Sequence, residues 1–329
     1  MGLESGGGRP AEGGDERVRH VVLVTYGEPP TPAFAAHLAY SWRILLGLTR
    51  TIADIPRPLL PVIALARART RNRTWRAEGY GSPLEALTCR QAELLQRALA
   101  SAEGAARWRT HVAYEFRDPL LPAVLDAIPD GEDVTVVPMY ATDSAFTHAL
   151  SRDTAAAHVA ARPRPGRVAV LTHLDADVLG EVCARYVLEL VSRDPRWRGA
   201  RTALVLAAHG TLLQPARPVE TGLAATEALM ASIRDRLSSC FGLVVHGWLN
   251  HSRGGRWTEP PIEEALRRVA GAGMERAVYF PYGFLADNAE SQLEGRVALR
   301  ALPGIESLHL PCLNDSPLLV EALARQVLG

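Results

Sequence analysis

Cysteine is scarce in this chain: Cys89, Cys183, Cys240 and Cys312 are the only four in 329 residues, and none forms a CxxC pair. The spacing excludes a zinc knuckle and supplies no disulfide framework, pointing instead to buried thiols in a reducing cytosol. Net charge is also absent, with 36 basic residues balancing 36 acidic ones. A balanced chain gives no electrostatic case for nucleic acid or another polyanion. No run of 18 apolar residues occurs, so no segment is expected to span a bilayer. The familiar cofactor and hydrolase loops are missing too. No GxGxxG follows a strand pattern, and GxxxxGK[ST], HExxH and GxSxG do not occur. No nucleotide cofactor is therefore expected. Residues 1–17, "MGLESGGGRPAEGGDER", are Gly-rich without an apolar centre, which predicts a disordered tail rather than a signal peptide.

What the chain does have is a regular alternation. Strand patterns occur at 20–27, 109–116, 133–140, 167–174, 201–210, 242–249 and 276–283. Several are apolar on both faces, as parallel strands covered by helices must be. Helical patterns lie between them at 84–101, 118–128, 149–161, 176–192, 217–238, 261–270, 287–300 and 316–328. This order predicts a doubly wound α/β fold in two halves, with a seam at the Pro- and Arg-rich stretch 161–167. The expected units are 18–163, 164–313, and a last helix at 314–329. Segment 55–76 breaks the rhythm: it starts with Pro56, Pro58 and Pro61 and ends with Arg67, Arg69, Arg71, Arg73 and Arg76. It reads either as a helix with a solvated basic face or as a lip over a cleft, its arginines available to ligand carboxylates.

Three strand ends carry residues that a core does not require. Tyr26 ends the first strand, as a wedge between sheet and helix or as a ligand contact. His209 ends the fifth within a run of small residues. Past the seventh stands "PYGFLADNAESQLEGR" (281–296), with Asp287, Asn288, Glu290 and Glu294. The last cluster has two readings. Asp287 can cap a helix with Glu290 reaching back, or the acids can form a site, since open α/β sheets bind ligands at the carboxyl ends of their strands. A His and a carboxylate suit borderline metals such as Fe²⁺ and also suit proton abstraction.

Seven stretches, in order, resemble the ferrochelatase family: "LVTYGEP" (23–29), "EGYGSPLEALTCRQ" (78–91), "VPMYATDSAFT" (137–147), "LAAHGT" (206–211), "HSRGGRWTEPPIEEAL" (251–266), "PYGFLADNAE" (281–290) and "LPCLNDSP" (310–317). The pattern is similar to the coproporphyrin-using, monoderm branch. The resemblance implies two Rossmann-like units with parallel sheets, a ligand cleft between them, and a C-terminal helix packed back on the first unit. It implies a lyase-type metal chelatase of haem biosynthesis, inserting Fe²⁺ as substrate metal into coproporphyrin III or protoporphyrin IX. His209 and Glu290 fall on the catalytic positions. His209, Glu290, Glu294 and Tyr26 are expected toward the metal, and Tyr26, Tyr140, Ser144, Trp257 and Arg67 toward the tetrapyrrole. A cytoplasmic monomer or homodimer is expected, with the lip as a peripheral membrane contact.

The chain also departs from the family pattern. Asn288 stands where an imidazole is expected, Ala207 and His251 replace the usual Ser and Gln, and Ala298 ends the acid ladder. Cys312 alone cannot hold an iron–sulfur cluster, so none is expected. These departures leave two other readings open: a chelatase scaffold redeployed on another metal or a non-porphyrin chelator, and a non-catalytic tetrapyrrole or metal carrier.

Overall fold

The structure is a computed structural model describing residues 18–51, 55–102, 107–162, 166–250, 255–300, 302 and 304–329. The tail at 1–17, part of the seam (163–165) and the start of the Trp257 stretch (251–254) lie outside the described residues.

Among the described residues, eight strands form two parallel sheets. They are β1 (Val18–Thr25), β2 (Arg107–Tyr114), β3 (Asp133–Pro138), β4 (Val168–Val170), β5 (Gly199–His209), β6 (Phe241–Leu249), β7 (Arg276–Phe280) and β8 (Glu306–His309). The sheet orders are β2-β1-β3-β4 and β6-β5-β7-β8, the same winding in each half. The α-helices are α1 (Phe34–Thr51), α2 (Leu60–Ala77), α3 (Leu84–Ala102), α4 (Leu121–Asp126), α5 (His148–Ala161), α6 (Ala176–Val191), α7 (Leu223–Leu237), α8 (Ile262–Gly271), α9 (Gly295–Leu299) and α10 (Pro317–Leu328).

The period-2 alternation of the central strands explains the layering. Val22 and Val24 of β1 pack with Leu121 and Leu125 of α4, on one face of the first sheet. Val21 and Leu23 point the other way, into a cluster that also holds Leu95 and Leu99 of α3, Leu204 and Leu206 of β5, and Leu319 and Leu323 of α10. On the far face of the second sheet, Ala203, Val205 and Ala207 meet Ile262, Leu266 and Val269 of α8. The fold is therefore helix-covered on both faces of both sheets. The C-terminal helix α10 packs against α3 and α6, and Gln91 of α3 donates to the carbonyls of Leu285 and Asn314 at 3.3 and 2.8 Å.

Several expectations are corrected. Val168–Val170 pairs with β3, so the start of the second half expected at 164 falls one strand too early. The backbone-paired neighbour, not the Pro-rich punctuation, decides which sheet the strand joins. Helix α1 and edge strand β8 were not anticipated. Within 55–76, α2 is a regular helix whose Pro61 lies in the first turn, where its missing N–H has no intrahelical partner to lose. Among the described residues, no helix is long and apolar enough to cross a membrane.

Candidate active site

His209 is the last residue of β5, and its side chain is 45% exposed. The strand is buried from Thr202 to Ala208, so the imidazole is the first group of β5 to emerge. β7 ends beside it, and the chain then turns through Pro281–Gly283. Gly283 is required there: a Cβ would lie 2.8 Å from Cα of Ala208 and 3.3 Å from the backbone nitrogen of His209. This close approach brings the following turn against the end of β5.

That turn is a π turn, Ala289–Glu294, an element found mostly as single turns and frequently at functional sites. Asn288 caps it. Its side-chain oxygen accepts from the N–H groups of Glu290 (2.9 Å) and Ser291 (3.0 Å), and Oγ of Ser291 accepts from the Asn288 N–H at 3.0 Å. The capping pair is thus Asn288 with Ser291, not Asp287 with Glu290. Asp287 has another task. It accepts from the Cys312 N–H (2.7 Å), the Gln292 amide (2.7 Å) and the Asn314 amide (2.9 Å), tying the turn to the loop before α10.

Relieved of capping, the Glu290 carboxylate lies 2.7 Å from Nδ1 of His209. A carboxylate accepts only, so Nδ1 carries the proton and Nε2 carries the lone pair of the neutral ring. Burial disfavours the imidazolium, but the charge and hydrogen bond of Glu290, with Glu294 beyond, outweigh it and hold the His209 pKa above its usual value. The pair is a base with a carboxylate behind it. Glu294 is exposed one step along the same turn. Among the described residues, no three His, Cys, Asp or Glu side chains converge as a metal cage, so His209, Glu290 and Glu294 do not close around one point.

The other expected residues are distributed around this pair. Tyr26 is half-buried at the end of β1; burial raises its pKa well above the usual phenol value, with the charges of Glu28 and Glu290 adding to the effect. Arg67 is exposed on α2. Partial desolvation and the neighbouring Arg71 lower its pKa, against the pull of Tyr40, Glu290 and Glu294. Both residues thus feel the field of Glu290. Tyr140 and Ser144 lie beyond β3; the Ser144 hydroxyl is used in its own loop, 3.1 Å from that of Thr147 and accepting from the Phe146 N–H at 3.3 Å. Trp257 is bridged to Leu212, three residues past His209. Of the arginines of segment 55–76, Arg71 turns inward to pair with the buried Glu28. Sequence reading missed Glu28, whose partners are remote in the chain; its place directly after the strand-ending Tyr26–Gly27 was the available signal.

The site is thus a His–carboxylate pair at the carboxyl end of β5, in a doubled, doubly wound parallel α/β fold. The comparisons narrow this. A sequence model of the ferrochelatase family matches residues 19–328, and the chain belongs to that family. It is 28% identical over 326 residues to the ferrochelatase of Azoarcus sp. (strain BH72), covering 93% of this chain and 86% of the relative. It is 27% identical over 322 residues to that of Xylella fastidiosa (strain 9a5c), covering 92% and 95%. Among solved structures, it is similar in fold to CbiX, described as the terminal enzyme for biosynthesis of siroheme in denitrifying bacteria. The TM-score is 0.51 at 17% identity, over 94% of this chain and 98% of that one. SirB from Bacillus subtilis with Fe³⁺ gives a TM-score of 0.52 at 9% identity, over 94% of each chain. The protein is a divergent ferrochelatase-family metal chelatase.

Proposed function

We propose that this chelatase inserts Fe²⁺ into a porphyrin, coproporphyrin III or protoporphyrin IX, in haem formation. The observation that carries the reading is the 2.7 Å contact between His209 and Glu290 at the mouth of β5. Metallation releases two pyrrole N–H protons and strips water from the incoming ion. Nε2 of neutral His209 accepts one pyrrole proton and, being exposed, releases it to water before taking the second, while Glu290, bonded through Nδ1, stabilises the imidazolium each time. Once the macrocycle has lost its protons, its nitrogens become the better ligands, and the ion leaves the carboxylate side for the ring. In this reading Glu294 extends the acid path along the π turn, and Tyr26 contacts the metal or ring from the first unit. Arg67 meets a propionate of the substrate. Tyr140, Ser144 and Trp257 line the macrocycle site.

The test is an anaerobic absorbance assay with Fe²⁺, and with Zn²⁺ as a probe, against both porphyrins. The expected result is the spectral change of metallation, abolished by His209→Ala. Turnover confined to a non-porphyrin tetrapyrrole such as sirohydrochlorin would overturn the porphyrin reading, and tight binding without turnover would make the protein a carrier.

A further inference from the structure

Glu28 directly follows Gly27, which turns the chain at the end of β1 in a left-handed conformation (φ 72°). A Cβ on Gly27 would lie 2.9 Å from Cβ of Tyr114, so the turn is both left-handed and tight. It sends Glu28 inward, where the residue is 1% exposed. Both carboxylate oxygens are engaged, by different parts of the protein. Oε1 accepts from the guanidinium of Arg71 on α2. Oε2 accepts at 3.0 Å from the N–H of Ala289, the first residue of the π turn and the neighbour of Glu290. Burial raises the Glu28 pKa, while Arg71, Ser82 and the Ala289 N–H work to keep the carboxylate ionised.

The surroundings make this a strut. Arg71 stacks on two rings of the first unit, its guanidinium carbon 5.3 Å from the Tyr40 centroid and 5.2 Å from that of Trp75. Trp75 of α2 shares a small apolar cluster with Tyr80, Ala289 and Leu293. The lip helix therefore touches the catalytic turn twice, by apolar packing and through the buried carboxylate. A buried ion pair is a weak source of net stability, because desolvation offsets most of the attraction. What it does supply here is geometry: one carboxylate fixes the backbone of the catalytic turn relative to the lip.

We propose that Glu28 is a positioning residue for Glu290, and that through Arg71 it makes the lip helix α2 and the catalytic turn move as one body. The proposal rests on the chelatase reading of His209 and Glu290, but part of its test needs no substrate. Amide hydrogen exchange is followed by mass spectrometry on the full-length, metal-free protein. Glu28→Ala should speed exchange about tenfold in peptides covering both 60–77 and 287–296, as loss of a charge-assisted hydrogen bond predicts. Peptides from β5 and α8 should not change. Glu28→Gln, whose amide oxygen can still accept from Ala289, should keep the turn within about twofold of wild type while the lip loosens. In the metallation assay, Glu28→Ala should lower kcat about tenfold with the porphyrin KM within twofold, and Glu28→Gln should restore most of kcat. Unchanged exchange in the turn, or a uniform rise across both sheets, would overturn the proposal. So would a normal kcat in Glu28→Ala alongside a loosened turn. A wild-type protein that does not metallate porphyrin would refute the functional reading alone, leaving the exchange result to decide the strut.

Discussion

Replacing Asn288 by alanine isolates the cap of the π turn that carries Glu290. Asn288 is 1% exposed, and its side chain accepts two N–H groups while donating to the Ala286 carbonyl at 3.0 Å. Loss of an ordinary N-cap costs about 0.5–2 kcal/mol. This one is buried, and Ser291, one of its two donors, is fully buried. Each buried polar group left without a partner adds about 1–3 kcal/mol. Some relaxation of the turn is expected, so the net cost should be about 2–3 kcal/mol. Urea denaturation checks this: the midpoint should fall with an unchanged slope, and metallation should fall with it, because Glu290 N–H is one of the capped groups. Asn288→His tests the same logic from the family side. A ring nitrogen can accept from only one of the two N–H groups, so the substitution should destabilise the turn and lower activity. A wild-type midpoint in Asn288→Ala, or higher metallation in Asn288→His, would refute the cap as the reason for the asparagine.

Two further outcomes follow from the pair itself. His209→Ala and Glu290→Gln should each reduce turnover by about 10²–10⁴-fold, and the double variant should be little worse than either, since the two act as a unit; multiplicative losses would count against this. His209 must be neutral to accept a proton, and its pKa is held above the usual imidazole value. kcat/KM should therefore rise with pH through a midpoint above the ordinary imidazole value and level off only beyond it. In Glu290→Gln the midpoint of that rise should move down, because the anion that favours imidazolium is gone.

The strands were legible because the central ones are short apolar runs between polar punctuation. β8 was not, since "ESLH" is polar and sits at an edge, where one side needs no burial. Helix α1 follows "PPTP" (29–32), and such a Pro-rich start masks the helical pattern behind it. The candidate pair was legible residue by residue, His209 from its odd place at a strand end and Glu290 from the acid cluster. What sequence could not supply was the sharing of roles within 287–291. Asp287 as cap with Glu290 reaching back fits by residue type, but tertiary partners decide otherwise: Asp287 is claimed by residues 312 and 314, and Glu290 by a histidine 81 positions away. Glu28 was hidden for the same reason, its Ala289 partner lying 261 residues on.

The apolar cluster between the sheets draws on α3, β5, β7 and α10 together, and this bears on how the protein could be divided. Two sheets with matching strand order invite treatment as two modules, to be cut just after β4, near 171–175, and recombined with relatives. Neither piece would be self-sufficient. A fragment ending there would leave Val21, Leu23, Leu95 and Leu99 without the side chains of α6 and α10 that share their cluster, and the complementary fragment would expose the matching surface. Each half carries an apolar face made for the other, so chimeras are expected to stay soluble only when α10 and the first unit come from the same parent.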